Sequence, residues 1–205
     1  GSGAGELAAE RTLANGVVRV SLFQETTRNA LIAQTTTIAG VASPVSFVQN
    51  VGEIRNRGVE LVAERRDIGF RGFDLSGSVT FVDSEILEDD DFVSPSGTTA
   101  VGKRAPNVPH WRATAVATYR PSDAWTFTLA GRYSGKQYST LDNTDNTPSV
   151  YGAFDSFTVF DARARWQINA NLSAALGIDN LTNKEYFLFH PFPQRTVLAS
   201  LELAY

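Results

Sequence analysis

Side chains that could do covalent chemistry are sparse in this sequence. There is no cysteine, and the two histidines, His110 and His190, lie far apart. Thiolate metal sites and disulfides are therefore excluded, and a histidine-based zinc site lacks ligands. No G-x-S-x-G turn and no glycine-rich phosphate cradle occurs. The sequence predicts no enzyme, no cofactor and no metal site. The acidic run Glu88-Asp89-Asp90-Asp91 could meet a cation, but such a run in a long loop is ordinarily just solvated. What remains is non-covalent recognition. The aromatics and cations Tyr138, Tyr151, Phe154, Phe187, Phe189, His190 and Phe192 fall in stretches rich in Gly, Pro, Asn and Thr. They are the candidate contacts for a small ligand, although the Phe187–Phe192 cluster is expected mainly to pack against a neighbouring loop. A second set, Arg112, Arg132, Asp161, Arg163, Arg165 and Glu202, occupies the polar positions of alternating segments.

The elements that must carry these residues are strands. No segment reads as a helix of useful length, and no apolar run approaches the roughly 20 residues of a membrane helix. Alternation with period two recurs instead. In Thr158–Asn169, Phe160, Ala162, Ala164, Trp166 and Ile168 share one face, and Asp161, Arg163 and Arg165 the other. The same pattern marks Phe73–Asp83, His110–Arg120, Ala124–Ser134, Leu172–Ile178 and Thr196–Tyr205, and more weakly Val17–Glu25 and Ile54–Arg65. A doubtful ninth strand spans about Gly5 to Leu13. Short connections at Ala14–Gly16, Arg66–Gly72, Pro121–Asp123 and Ala170–Asn171 alternate with long ones near Gln34–Gln49, Ser84–Pro109, Gly135–Ser156 and Thr182–Gln194. Residues 5–205 form one strand-bearing domain, and residues 1–4 read as a tag scar or linker.

The 205 residues carry 18 basic and 22 acidic side chains, a net charge of −4, which argues against a nucleic-acid partner. Hydrophobic residues make up 42%, too many for a disordered chain. Alternation alone leaves two architectures open, a soluble β-sandwich with its apolar face inside and a transmembrane barrel with it outside. Aromatic spacing favours the membrane. Trp111 and Tyr119 share one face of a segment, as do Trp125 and Tyr133 of the next. Each pair spans eight residues, which at a 40° tilt is roughly 20 Å of height, near that of an apolar band between aromatic girdles. Trp166 and Tyr205 complete the candidate girdles. The charged set then lines a wet lumen, where charge is tolerated. Short turns on one side and long loops on the other fit periplasmic and extracellular ends. Leu201 is expected near mid-bilayer, with Ser200 facing the lumen.

Several motifs are similar to those of TonB-dependent outer-membrane receptors. Asn50-Val51-Gly52-Glu53-Ile54-Arg55-Asn56-Arg57-Gly58-Val59-Glu60-Leu61 resembles an N-x-G…G-x-E barrel strand. Gly177-Ile178-Asp179-Asn180-Leu181-Thr182-Asn183-Lys184-Glu185-Tyr186 resembles the G-x-x-N-L-[FT]-[DN]-K-x-Y strand and loop. Pro193-Gln194-Arg195-Thr196 resembles the P-G-R-[TN] entry to the last strand, with Gln194 in place of glycine, and Tyr205 resembles the terminal aromatic of such barrels. The stretch Gly102–Pro109 is similar to a loop leading into a strand of the same family.

The resemblance implies a bacterial outer-membrane location, lipid as surrounding solvent, and a barrel of about 22 strands with a plugged lumen. It implies import of a scarce nutrient such as a ferric siderophore, with TonB and a plug as partners of the whole receptor. Eight or nine of the strands are legible here, so two forms are expected, a C-terminal barrel portion without plug or TonB box, or a small engineered pore. Eight strands from Gly16 could close as such a pore. Arg163 and Arg165 would then meet a plug, an anionic ligand or water, with Asp161 as their nearest counter-charge.

Overall fold

The computed structural model describes residues 2–36, 45–90 and 98–204. The strands are β1 (Ser2–Leu13), β2 (Gly16–Thr36), β3 (Val45–Arg65), β4 (Phe73–Glu88), β5 (Trp111–Ser122), β6 (Trp125–Ser134), β7 (Phe157–Gln167), β8 (Leu172–Asp179), β9 (Phe187–Leu188), β10 (His190–Pro191) and β11 (Thr196–Leu203). Nine form one antiparallel sheet in the order β1-β2-β3-β4-β5-β6-β7-β8-β11, and β9 and β10 make a separate two-residue ladder. Within the sheet each strand pairs with the next sheet strand along the chain, β8 with β11 across the β9–β10 segment, so the topology is up-and-down.

Local chemistry sets the turns. In the β7–β8 turn the Asn169 side-chain oxygen accepts the N–H groups of Asn171 and Leu172, both at 3.0 Å. The β3–β4 turn is longer, and Asp67 and Gly72 take positive φ values of 52° and 84°. Pro121 falls where the β5–β6 register shifts, between Tyr119 and Ser122, as suits a residue without an N–H to donate.

Three expectations need correction. The doubtful first strand forms and starts at Ser2 rather than near Gly5, with Ser2, Gly3 and Ala4 paired with Thr27, Thr26 and Glu25. Strands β2 and β3 are 21 residues each, taking in much of what reads as the Gln34–Gln49 loop, and β4 runs on to Glu88 through the start of what reads as the Ser84–Pro109 loop. Polar stretches such as Thr26-Thr27-Arg28 show no alternation, yet a continuous backbone ladder with β3 holds them extended. Closure of eight strands from Gly16 does not occur. Strand β1 pairs with β2 along its length, and β1 and β11 are the two edges of an open sheet.

Register separates the two faces. Leu22, Val59, Phe81 and Trp111 are partners across β2–β5 and form an apolar row on one side. One residue out of phase, Ser21, Glu60, Thr80, Arg112 and Ser134 form a polar row on the other, at the same level. Among the described residues no second layer covers the apolar side. Trp125, Phe127, Trp166 and Leu201 are 38%, 42%, 43% and 70% exposed. A sandwich would bury them; a sheet with this bare apolar face needs hydrocarbon as its solvent.

The largest buried apolar cluster lies at the long-loop end. Val51, Ile54, Ile86, Ala100, Ala105 and Leu141 form it, with Ala30, Ile32 and Val108 against it. It joins the tall ends of β2–β4 to the β4–β5 and β6–β7 loops. Asn29 takes a φ of 56° and the β3–β4 register shifts between Glu53 and Ile54. Beyond these irregularities Ala30 and Ile32 turn onto the same cluster as Ile54 and Ile86.

Candidate ligand-facing loops and lumen wall

The loops are built as one unit. Asn143 in the β6–β7 loop accepts the Arg104 N–H at 2.9 Å and donates to its carbonyl at 3.1 Å, tying that loop to the β4–β5 loop. Thr98 donates to Asp142 at 3.0 Å across the same seam. Within the β6–β7 loop Asp145 accepts from the Ser139 N–H at 2.7 Å and the Thr140 hydroxyl at 2.8 Å. Burial works against the charged form of Asp142, but hydroxyls of Thr144, Thr98 and Thr140 outweigh it and hold the carboxyl below its ordinary value.

The β6–β7 loop also zips to the segment before β11. Phe154 bridges Leu188, the Asp155 carboxylate accepts the Phe187 N–H at 3.0 Å, and Gly152 donates to the Phe189 carbonyl at 2.7 Å. The stretch Thr182–Gln194, read as plain loop, folds into the β9–β10 ladder with Phe189 at its tip, φ 68°. A bulky residue there is strained and is held by these contacts.

The seven candidate contacts fall into three places. Tyr151, Phe154, Phe187, Phe189 and His190 form one aromatic cluster: Tyr151 lies edge-on to Phe187 at 5.9 Å and to His190 at 5.8 Å, and Phe154 lies 6.3 Å from Phe189. Phe187 is buried in it, while Tyr151 and Phe189 are 73% and 50% exposed. Phe192 belongs elsewhere, stacked at 5.0 Å on Tyr186, which stacks at 4.2 Å on Phe157. Tyr138 stands apart, with the Lys136 ammonium at 4.9 Å and the Arg104 guanidinium at 5.6 Å from its ring.

Sequence reasoning missed the organisers of these loops. Tyr186 is buried at the centre of its stack. Asn180, part of a sequon-like Asn-Leu-Thr, is buried with a φ of 52° and exchanges two 2.8 Å hydrogen bonds with the Lys184 backbone. Its match to N-L-[FT]-[DN]-K was the available signal. Asp89, read within a solvated acidic run, is buried and accepts from Gln49 at 3.4 Å; Asp91 lies outside the described residues. Among the described residues no cluster of His, Asp and Glu could hold a metal.

Below the loops, the polar face forms a ladder of ion pairs. Arg132 meets Asp161 at 3.3 Å, Arg163 meets Asp179 at 3.8 Å, and Arg165 meets Glu202 at 3.7 Å with Ser173 between them. Asp161 is thus the partner of Arg132, not of Arg163 or Arg165, because it lies nearer the loop end of β7. Arg112 sits between Thr80 and Ser134. Gly58 of the N-x-G…G-x-E motif has a plain steric role: a Cβ there would fall 2.5 Å from the Phe23 ring and 2.2 Å from the Phe81 carbonyl.

On the apolar face the candidate girdle residues stand at two levels. Trp125 stacks on Trp166 at 5.5 Å, and Tyr119 lies 5.5 Å from Phe70, both at the short-turn end. At the loop end Trp111 packs on Phe81 at 4.8 Å, and Tyr133 is the partner of Ala113. Tyr205 lies outside the described residues. Leu201 shares a register row with Ala174 and Trp166. Leu129 lies midway between Trp125 and Tyr133 on β6 and marks mid-bilayer on that strand.

A sheet with one lipid-solvated face, one ion-paired face and loops at one end defines a transmembrane barrel wall. The sequence model described as "TonB dependent receptor-like, beta-barrel" matches residues 6–181, and the chain belongs to this family. It is 31% identical over 147 residues to the probable TonB-dependent siderophore receptor PiuA of Acinetobacter baumannii, covering 67% of this chain and 18% of that protein. It is 26% identical over 179 residues to the probable TonB-dependent receptor BfrD of Bordetella pertussis, covering 83% of this chain and 21% of that protein. The unliganded ferric citrate transporter FecA superposes with a TM-score of 0.77 at 20% identity, over 98% of this chain and 31% of that one. The chain thus spans about a fifth of the length of its curated relatives. These relatives are receptors rather than enzymes. Barrels of the family lie in the outer membrane of Gram-negative bacteria, which places this wall there.

Proposed function

We propose that the chain serves as barrel wall and extracellular loops of a receptor that imports a scarce nutrient such as a ferric siderophore. Active transport in that reading needs a plug and TonB as partners. The observation that carries it is the loop unit: in a chain of this family, the β6–β7 and β8–β11 loops are zipped together and hold Tyr151 and Phe189 out to solvent. Rigid, exposed aromatic faces at the mouth suit a planar or aromatic chelate at low entropic cost. Lys136, Arg104 and Tyr138 add a cationic-aromatic corner for an anionic complex. Beneath, Arg112, Arg132, Arg163 and Arg165, with Asp161 and Glu202, line the lumen. Trp111, Tyr119, Trp125, Tyr133 and Trp166 hold the two membrane interfaces.

Uptake of labelled iron presented as citrate, catecholate and hydroxamate chelates tests the reading in the full-length protein. Replacing Tyr151 and Phe189 together by Ala should weaken uptake of one chelate class at least about tenfold, the scale of one or two lost aromatic contacts, with unchanged surface expression. Unaltered uptake of every chelate would remove these loops from ligand recognition.

A further inference from the structure

The apolar face is not uniform. Near the short-turn end it is cut by a groove of about 410 Å³. Its walls are Leu61, Leu75 and Val79, and its floor is Ala63, Gly77 and Ala115, with Ile68 of the β3–β4 turn also lining it. All of these strand positions share the phase of the outward row through Val59 and Phe81. The floor is low for a backbone reason: a Cβ on Gly77 would fall 2.7 Å from the Thr114 carbonyl, so no side chain can rise there. The mouth is charged. Arg65, the last residue of β3 and in the same outward phase, lines the groove and is exposed. Its neighbour Arg66 is paired with Glu64 at 3.4 Å, and Arg120 with Asp74, whereas Arg65 has no carboxylate partner among the described residues. Phe70 of the same turn is 55% exposed and stacks at 5.2 Å on Phe73, marking the aromatic interface at this level.

We propose that the groove seats one acyl chain of a periplasmic-leaflet glycerophospholipid whose phosphate lies on Arg65. Charge complementarity selects this occupant. A guanidinium facing outward at the lipid boundary meets phosphate diesters there, and the fork geometry favours phosphate oxygens. A hydrocarbon chain fills the channel above it at the level where the wall is wholly apolar. The site lies on the outer face, away from the loops and lumen, so it is independent of the nutrient carried.

Native mass spectrometry of the full-length protein, titrated with phosphatidylglycerol, diacylglycerol or inorganic phosphate, tests this. One phosphatidylglycerol should be retained after annular lipid has been stripped, diacylglycerol should not, and inorganic phosphate should not displace the lipid. Arg65→Ala should weaken retention about fivefold, and Ala115→Trp, which fills the groove from an outward position, should abolish it. Ala63→Phe serves the same purpose if the tryptophan variant fails to fold. Arg195→Ala, removing the same charge at the opposite rim, should leave retention unchanged. Equal retention of diacylglycerol, or retention insensitive to both Arg65→Ala and the groove-filling change, would mean ordinary annular lipid and overturn the site.

Discussion

The membrane wall and the extracellular loops of this chain are held by different physics. In the wall, β4–β8 and β11 owe their order to continuous backbone ladders, and the outward side chains contribute by meeting hydrocarbon rather than each other. Buried apolar residues there are few. The loops invert this. They have little ladder of their own and share a real core with the tall ends of β3 and β4, where Val51, Ile86 and Leu141 are fully buried, plus a net of side-chain to backbone hydrogen bonds through Asn143, Asp145, Asp155 and Asn180. The lesson is that a single sheet can place its conventional hydrophobic core outside the membrane, because only the part in water gains from burying apolar surface.

The sharpest way to break this contrast is to attack the loop core. Leu141→Ala should cost about 2–5 kcal/mol of loop stability, as a truncation at a fully buried site does. Hydrogen exchange should rise over residues 98–109 and 138–146 while β5–β8 stay protected. Loss of protection throughout the sheet would show that wall and loops are one cooperative unit.

Next is the wall itself. Leu129→Arg should destabilise the bilayer-folded state by about 2–4 kcal/mol in denaturant titration, and Ala130→Arg, facing Asp161, should be close to neutral. Equal costs on the two faces of β6 would contradict the assignment of lipid and lumen sides.

The loop seam should respond to acid. The Asp142 carboxyl is held below its ordinary value, so its contribution is fully present above about pH 3.9, the unfolded value, and is lost as pH falls through the lower folded one. Protease cleavage between Thr98 and Thr144 should therefore rise only on strong acidification, and Asp142→Asn should flatten that dependence. The smallest effect belongs to the lumen ladder. A double-mutant cycle on Arg132 and Asp161, paired at 3.3 Å with the arginine about half exposed, should return about 0.2–1 kcal/mol, falling with salt.

Legibility in the sequence follows the same division. Strands β5–β8 and β11 are legible within a few residues, because each must alternate to present one face to lipid and one to water. Strands β2, β3 and β4 run further than alternation shows where they leave the membrane, since water no longer demands alternation from them. Five of the seven candidate contacts do meet, but Phe192 and Tyr138 stand elsewhere. Tyr186 and Asn180 belong to a short motif, but Asp142 and Asp155 carry no pattern, because a hydrogen bond between distant loops leaves no periodicity behind.

By itself the sequence determined the strand phases, the two faces and the family kinship, all of which rest on local period-two order and short motifs. Tertiary structure alone decided how far β2, β3 and β4 run beyond the membrane, which arginine pairs with which carboxylate, and that the long loops share a core. Those outcomes depend on register between residues far apart along the chain, and register is set by the summed ladder and packing energies of whole strands, which no single segment encodes.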